Sequence, residues 1–170
     1  MNKHIFIVRG APGIGKTTLG KLLRAKFRNG VIIDVDSIRR VVVSDRFEPF
    51  NDVSYMHSLT VVAEMVRCYN RFGYDPIIII DVFASSLLTH FLNQLSDWSY
   101  DIINLIADEK VLITRMADRE EGFVDLELAV TINNTITDNY SVSKNVVDTT
   151  ALNPGEVLIA VTKIIRNKLK

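Results

Sequence analysis

The stretch His4-Ile5-Phe6-Ile7-Val8-Arg9-Gly10-Ala11-Pro12-Gly13-Ile14-Gly15-Lys16-Thr17 decides the fold. Gly10 to Thr17 satisfy the pattern G-x-x-x-x-G-K-[ST] in full. His4 to Val8 read as a buried strand running into the loop. Leu19, Leu22, Leu23 and Phe27 share one helical face, so a helix runs out of it. In that context the glycines let successive backbone N–H groups curl around phosphate oxygens with no Cβ in the way. The helix N-terminus adds its partial positive charge. Gly10, Ala11, Pro12, Gly13, Ile14, Gly15, Lys16, Thr17 and Thr18 are therefore expected to hold a nucleoside triphosphate. Lys16 is expected to reach the outer phosphates, and to face solvent when none is bound. The Thr17 hydroxyl is expected to ligate Mg²⁺. A plain Gly/Pro turn is the competing reading, but such turns rarely carry Lys-Thr at the required offset.

The 170 residues suit one domain with a proper core, and 48% of them are apolar. Lys plus Arg equals Asp plus Glu at 20 each. A neutral chain lacks the broad basic field of a non-specific nucleic-acid binder, so nucleic acid is disfavoured as a partner. Cys68 is the single cysteine, which excludes an intramolecular disulfide, and it reads as a small core residue. No leader and no apolar run of membrane-spanning length is visible, so the cytoplasm is the expected address. The sequence says nothing of oligomeric state.

Strand and helix patterns alternate along the chain. Val31 to Val35 read as a second strand. Tyr55, Leu59, Val62, Val66 and Tyr69 form one stripe of a long helix that Gly73 is placed to end. Pro76 to Asp81 form a continuous apolar run, as a strand buried on both faces requires. Ala84, Leu88, Phe91 and Leu95 make another helical stripe, and Ile102 to Ile106 a fourth strand. Residues 108–139 read as helical in pieces, and Asn145 to Val147 as a short fifth strand. Asn153 reads as an N-cap, with Pro154 at the first helical position and Glu156 three residues on. Five strands separated by helices imply a three-layer α/β/α sandwich around a mostly parallel sheet, with residues 1–170 as a single domain.

Ligands of such sheets sit beyond the carboxyl ends of the strands, so the polar residues there carry the chemistry. Asp36 follows the second strand. A carboxylate beside a transferred phosphoryl group can orient an acceptor hydroxyl and take its proton. Asp36 or Ser37 could instead N-cap the next helix, a role compatible with catalysis. Asp34 falls on the same side as Asp36 if the strand stays regular that far. Asp81 ends the third strand, where it can hold a water on Mg²⁺; the alternative is a cap on the next helix. The residue after it is Val82, whereas a glutamate there would suggest ATPase water activation. Arg115 and Arg119 lie four apart, share a face if helical, and are placed to close over phosphates. The alternative is a solvated surface, since Asp118, Glu120 and Glu121 adjoin them. Arg39 and Arg40 could face an anionic acceptor or solvent. His57 and His90 have no partner at metal-ligand spacing and read as structural or surface residues.

In order along the chain, the loop Gly10 to Thr17, Val35-Asp36-Ser37-Ile38, the run ending Ile80-Asp81-Val82-Phe83, the paired arginines and Val147-Asp148-Thr149-Thr150 resemble chloramphenicol phosphotransferase. That enzyme is one of a group of small P-loop kinases that includes shikimate kinase, gluconate kinase and the polynucleotide 5′-kinase domains. The resemblance implies an ATP-using kinase fold with five parallel strands. It implies that Asp36 matches the proposed base, that 108–139 forms a lid, and that Asp148-Thr149-Thr150 precedes a turn near the adenine. The chain departs from it in its phosphate loop and in an acidic, longer lid segment. Val41 to Asn70 also match nothing in it, so the resemblance points to the kinase group more than to an acceptor.

The expectation is an ATP- and Mg²⁺-dependent kinase that phosphorylates a hydroxyl of a small molecule. Asp36, Lys16, Arg115 and Arg119 would be catalytic, and Thr17 and Asp81 would serve the metal. Three rivals share parts of this reading. A nucleoside, nucleotide or polynucleotide 5′-hydroxyl kinase uses the same machinery. A GTPase switch would need an Asn-Lys-x-Asp segment after the fourth strand, which is absent. A non-catalytic nucleotide-binding module would not need Lys16, Thr17, Asp36 and Asp81 together.

Overall fold

The computed structural model describes residues 3–42, 52–83, 85–117, 125–138 and 145–169. The first strand, β1 (His4–Gly10), gives way at the glycine loop to α1 (Lys16–Lys26). There follow β2 (Val31–Asp34), the short α2 (Val35–Arg39) and the long α3 (Asp52–Arg71). Then come β3 (Ile77–Asp81), α4 (Ser85–Gln94) and β4 (Ser99–Ile106). The chain closes with α5 (Glu109–Ala117), α6 (Leu126–Asp138), β5 (Asn145–Asp148) and α7 (Pro154–Lys168). The strands form one five-stranded sheet in the order β2-β3-β1-β4-β5, and every neighbouring pair is parallel.

The alternation of β-strand side chains explains why the strands read as unbroken apolar runs. Phe6 and Val8 of β1 and Ile78 and Ile80 of β3 face α1, α5 and α7, where they pack with Leu19, Leu23, Leu112, Met116, Val161 and Ile165. Ile5, Ile7, Ile77 and Ile79 face the other way, onto Leu59, Val62 and Val66 of α3 and Leu88 and Phe91 of α4. Both layers are buried, so helices cover the sheet on both sides. Residues at matching register share a face. Arg9, paired with Asp81 on one side and Asn104 on the other, therefore belongs to the α3/α4 face.

Several local readings need revision. The second strand stops at Asp34 and Val35 already begins α2, so Asp34 and Asp36 do not alternate along a strand. The cap of α2 is Asp34, whose carboxylate accepts from the amide of Asp36 at 3.1 Å; neither Asp36 nor Ser37 fills that role. Asp34, Asp36 and Ser37 are all residue types that favour the N-cap, so sequence alone did not separate them. Cys68 is half-buried rather than a core residue. The fourth strand begins three residues early, at Ser99. Elsewhere the signals held. Tyr55, Leu59, Val62 and Val66 are buried, and Gly73 follows α3 at φ 80°. Asn153 and Glu156 form a complete capping box on α7. Ala84 lies outside the described residues.

Candidate functional site at the carboxyl end of the sheet

The glycine loop is built around an absence. Gly15 occupies the N-cap of α1 at φ 100°, a conformation that disfavours any side chain. Gly15 has no side chain with which to cap the first turn of α1, and no acidic residue sits in that turn. A Cβ on Gly15 would meet nothing within 4 Å. A glycine at this helix N-terminus leaves room for a ligand to approach, which suits an oxyanion. The contrast with α7, whose first turn is fully capped, is direct. Gly13, at φ 84°, is held from above: a Cβ there would lie 2.5 Å from Cγ of Met116 on α5. The loop is therefore clamped between the sheet and α5.

Lys16 is half-buried rather than fully turned to solvent. Its Nζ curls back and donates to the carbonyls of Gly10 at 2.8 Å and Ala11 at 2.9 Å. Beside the loop, on the α1/α7 side, opens a cleft of about 200 Å³ lined by Gly15, Thr18, Arg115, Thr149, Leu152 and Pro154. Arg115, in the last turn of α5, donates from Nη1 to Oγ1 of Thr149 at 2.9 Å and from Nη2 to its carbonyl at 2.7 Å. It ties α5 to the turn after β5. The following helix is fastened as well: buried Asn133 of α6 accepts from the amide of Ala107 and donates to its carbonyl. Arg119 lies outside the described residues, as do Asp118, Glu120 and Glu121.

On the opposite face of the sheet the polar residues form a chain. Asp81, 1% exposed at the end of β3, accepts a hydrogen bond at Oδ2 from the Tyr55 hydroxyl. Its Oδ1 has no partner among the described residues. Burial raises this carboxyl to about 6, against the lowering pull of Arg39, the Val82 amide and Lys16. The guanidinium of Arg39 stacks over the Tyr55 ring, 4.5 Å from its centre, and pairs with Oδ1 of Asp36. Asp36, Arg39, Tyr55 and Asp81 thus form one connected row from α2 through α3 to the end of β3. Arg40 is exposed, as is His57, and His90 is half-buried.

Two further residues extend this layer. Arg9, the residue before the loop, is 7% exposed and donates from Nε to Oδ1 of Asn104 at 2.6 Å. Burial lowers the pKa of its guanidinium. Asn104 is fully buried, and its Nδ2 has no partner among the described residues. Tyr55, Arg9 and Asn104 escaped the sequence reading. The signal for Arg9 was present: a charged residue in a strand buried on both faces must be answered by a polar group on a neighbouring strand.

A helix N-terminus behind a glycine loop, the Asp81 carboxylate and the Thr17 hydroxyl fit a magnesium-bound nucleoside triphosphate chemically. Among the described residues no helix is long and apolar enough to cross a membrane, and no three His, Cys, Asp or Glu gather as metal ligands.

An all-parallel five-stranded sheet with a glycine loop between β1 and α1 defines the fold of the P-loop nucleoside triphosphate hydrolases, in the form taken by the small P-loop kinases. Residues 6–135 match the AAA domain family, and the chain belongs to it. No curated protein matches the sequence. Among solved structures, a gluconokinase from Sinorhizobium meliloti 1021 superposes with a TM-score of 0.66 at 16% identity, covering 98% of this chain and 96% of its own. The tunicamycin resistance protein of Deinococcus radiodurans gives 0.67 at 17% identity, covering 96% of both chains. A shikimate kinase from Acinetobacter baumannii, in complex with shikimate, gives 0.65 at 18%, covering 100% of this chain and 97% of that one. The resemblance to small P-loop kinases read from the sequence is borne out at the level of the fold.

Proposed function

We propose that this chain transfers the γ-phosphoryl group of ATP to a hydroxyl of a small molecule. The observation that carries the reading is the row Asp36–Arg39–Tyr55–Asp81. It aligns a carboxylate suited to an acceptor with one suited to a metal, beyond the strand ends and beside an uncapped phosphate loop. ATP supplies the phosphoryl group, and Mg²⁺ offsets its charge. The loop residues Gly10 to Thr18 bind the phosphates, with Lys16 swinging from the carbonyls of Gly10 and Ala11 to phosphate oxygens. Thr17 and Asp81 hold the metal, Asp81 in its ionised form. Asp36, released from Arg39, orients the acceptor hydroxyl and takes its proton as the new O–P bond forms. The bond from the γ-phosphorus to the β,γ-bridging oxygen breaks, and ADP leaves with the electron pair. Positioning and electrostatics supply most of the acceleration, and proton transfer the smaller part.

Arg115 lines the nucleotide cleft and braces its wall; with Arg119 it belongs to the segment 108–139, which we assign as a lid. The whole of 1–170 acts as one domain, in the cytoplasm. A net charge of zero supports a small acceptor over a long nucleic acid. The test is a screen of hydroxyl-bearing metabolites, antibiotics, nucleosides and oligonucleotides for acceptor-stimulated ADP release. Stimulation by a small molecule supports the reading. Stimulation by oligonucleotides alone moves the chain to the polynucleotide kinases. Tight ATP binding with no stimulation by any acceptor points to a non-catalytic module.

A further inference from the structure

Resting on the phosphotransferase reading, the geometry points to an acceptor that carries its own anionic oxygen group, a carboxylate or a phosphate, read by Arg9. Three polar side chains stand abreast at the end of the sheet, one strand apart: Asp81 on β3, Arg9 on β1 and Asn104 on β4. The middle one is a cation, 7% exposed. A carboxylate stands at the adjacent register position, yet the Asp81 carboxylate takes the Tyr55 hydroxyl and Arg9 turns the other way, to neutral Asn104. No ion pair joins Arg9 to a described carboxylate, and Asn104 is its sole side-chain partner among the described residues. Burying a guanidinium without a counter-charge is costly, so a purely structural arginine would be expected to carry one. A neutral partner fixes the side chain while leaving its charge for something else.

The location says what that something is. The nucleotide cleft lies on the α1/α7 side, beside Thr149 and Pro154. Arg9 lies on the α3/α4 face, with Tyr55, Asp81 and the row leading to Asp36. A planar fork of donors in that place recognises a carboxylate or phosphate on the molecule whose hydroxyl Asp36 receives. Asn104, fully buried, touches no ligand itself; it is a positioning residue for Arg9.

The test uses matched acceptors that differ in charge: gluconate against glucitol, glycerate against glycerol, glucose 6-phosphate against glucose. Each is assayed for ADP release, and each is titrated calorimetrically into protein saturated with Mg²⁺ and a non-hydrolysable ATP analogue. Wild type is expected to favour the anionic member of at least one pair tenfold or more, and the preferred pair tells carboxylate from phosphate. Arg9→Met should erase that preference through KM or Kd while keeping affinity for the ATP analogue. Asn104→Asp, of nearly the same shape, gives Arg9 a counter-charge and should erase it too, which keeps the proposal testable if Arg9→Met folds poorly. Anion binding that depends on Arg9 without ADP release would sink the phosphotransferase reading and leave the anion site standing. Binding or turnover that favours neutral members, no anion binding by wild type, or a preference that survives both substitutions would overturn the assignment. So would loss of ATP-analogue affinity in Arg9→Met with the preference intact.

Discussion

The hydroxyl of Tyr55, on the buried stripe of α3, donates to Oδ2 of Asp81 at the end of β3. The bond joins a helix beside the proposed acceptor base to the carboxylate proposed for the metal. It also fixes the ring on which Arg39 rests. Asp36 and Asp81 are thereby held by one set of side chains, and a change at either end is expected to be felt at the other.

Tyr55→Phe isolates this bond, since it keeps the ring under Arg39 and removes only the hydroxyl. Asp81 Oδ2 would then lose the one side-chain donor that reaches it among the described residues. Leaving a buried acceptor unsatisfied costs about 1–3 kcal/mol. Chemical denaturation at pH 7.5 should show a loss of that size. The loss should shrink at pH 5, where the carboxyl is largely protonated. Equal stability at pH 7.5 would mean that the bond contributes nothing to the fold.

Asp81 also predicts a pH dependence. Its folded pKa of about 6 stands above the ordinary 3.8 because burial disfavours the charged form. Between those values the folded chain holds a proton that the unfolded chain has lost. Its contribution to stability therefore falls as pH rises from roughly 4 to 6, and is least favourable above 6. Asp81→Asn removes that titration. The ligand-free variant should match or exceed wild type in thermal stability at pH 7.5, with a flatter profile below 6. It should also lose the extra stabilisation that Mg²⁺ adds to an ATP analogue. A variant destabilised at pH 7.5 and still responsive to Mg²⁺ would contradict the assignment.

Lys16→Ala removes two hydrogen bonds to loop carbonyls as well as the proposed phosphate contact. A bond from a charged donor adds about 1.5–3 kcal/mol, and less where solvent screens the ammonium, so the variant should fold with a lower Tm. Its ATP turnover should fall by orders of magnitude, measured as acceptor-dependent ADP release. Full phosphotransfer by this variant would remove the loop from the catalytic machinery.

Much of the fold was legible because it rests on local rules. The run from His4 to Thr17 carries strand, loop and helix within one short segment. Continuous burial of Ile77 to Ile80 follows from helices on both faces. Asn153, Pro154 and Glu156 announce α7 by capping chemistry alone. The strand order, with β1 between β3 and β4, has no local signal. The candidate site was legible near strand ends: Asp81 closes β3, and Asp36 lies two residues past the end of β2. It was hidden where function depends on a distant partner. Tyr55 looked like one more apolar residue on a helical stripe, since its partner lies 26 positions away. Arg9 meets Asn104 across 95 positions. Lys16 was expected to face solvent, but its ammonium group meets the carbonyls of Gly10 and Ala11, partners that the motif does not specify.

The most direct measurement compares wild type with Asp36→Asn for transfer from Mg²⁺·ATP to the acceptor found by the screen, under single-turnover conditions. The substitution keeps the shape of the side chain but removes its capacity to take a proton. Asp34, not Asp36, caps α2, so the helix start should survive, and Arg39 keeps its place on Tyr55. The expected result is a folded protein with wild-type affinity for the ATP analogue and a transfer rate lower by about a hundredfold or more, the scale of a general base. A folded Asp36→Asn protein that phosphorylates the acceptor at the wild-type rate would contradict the mechanism.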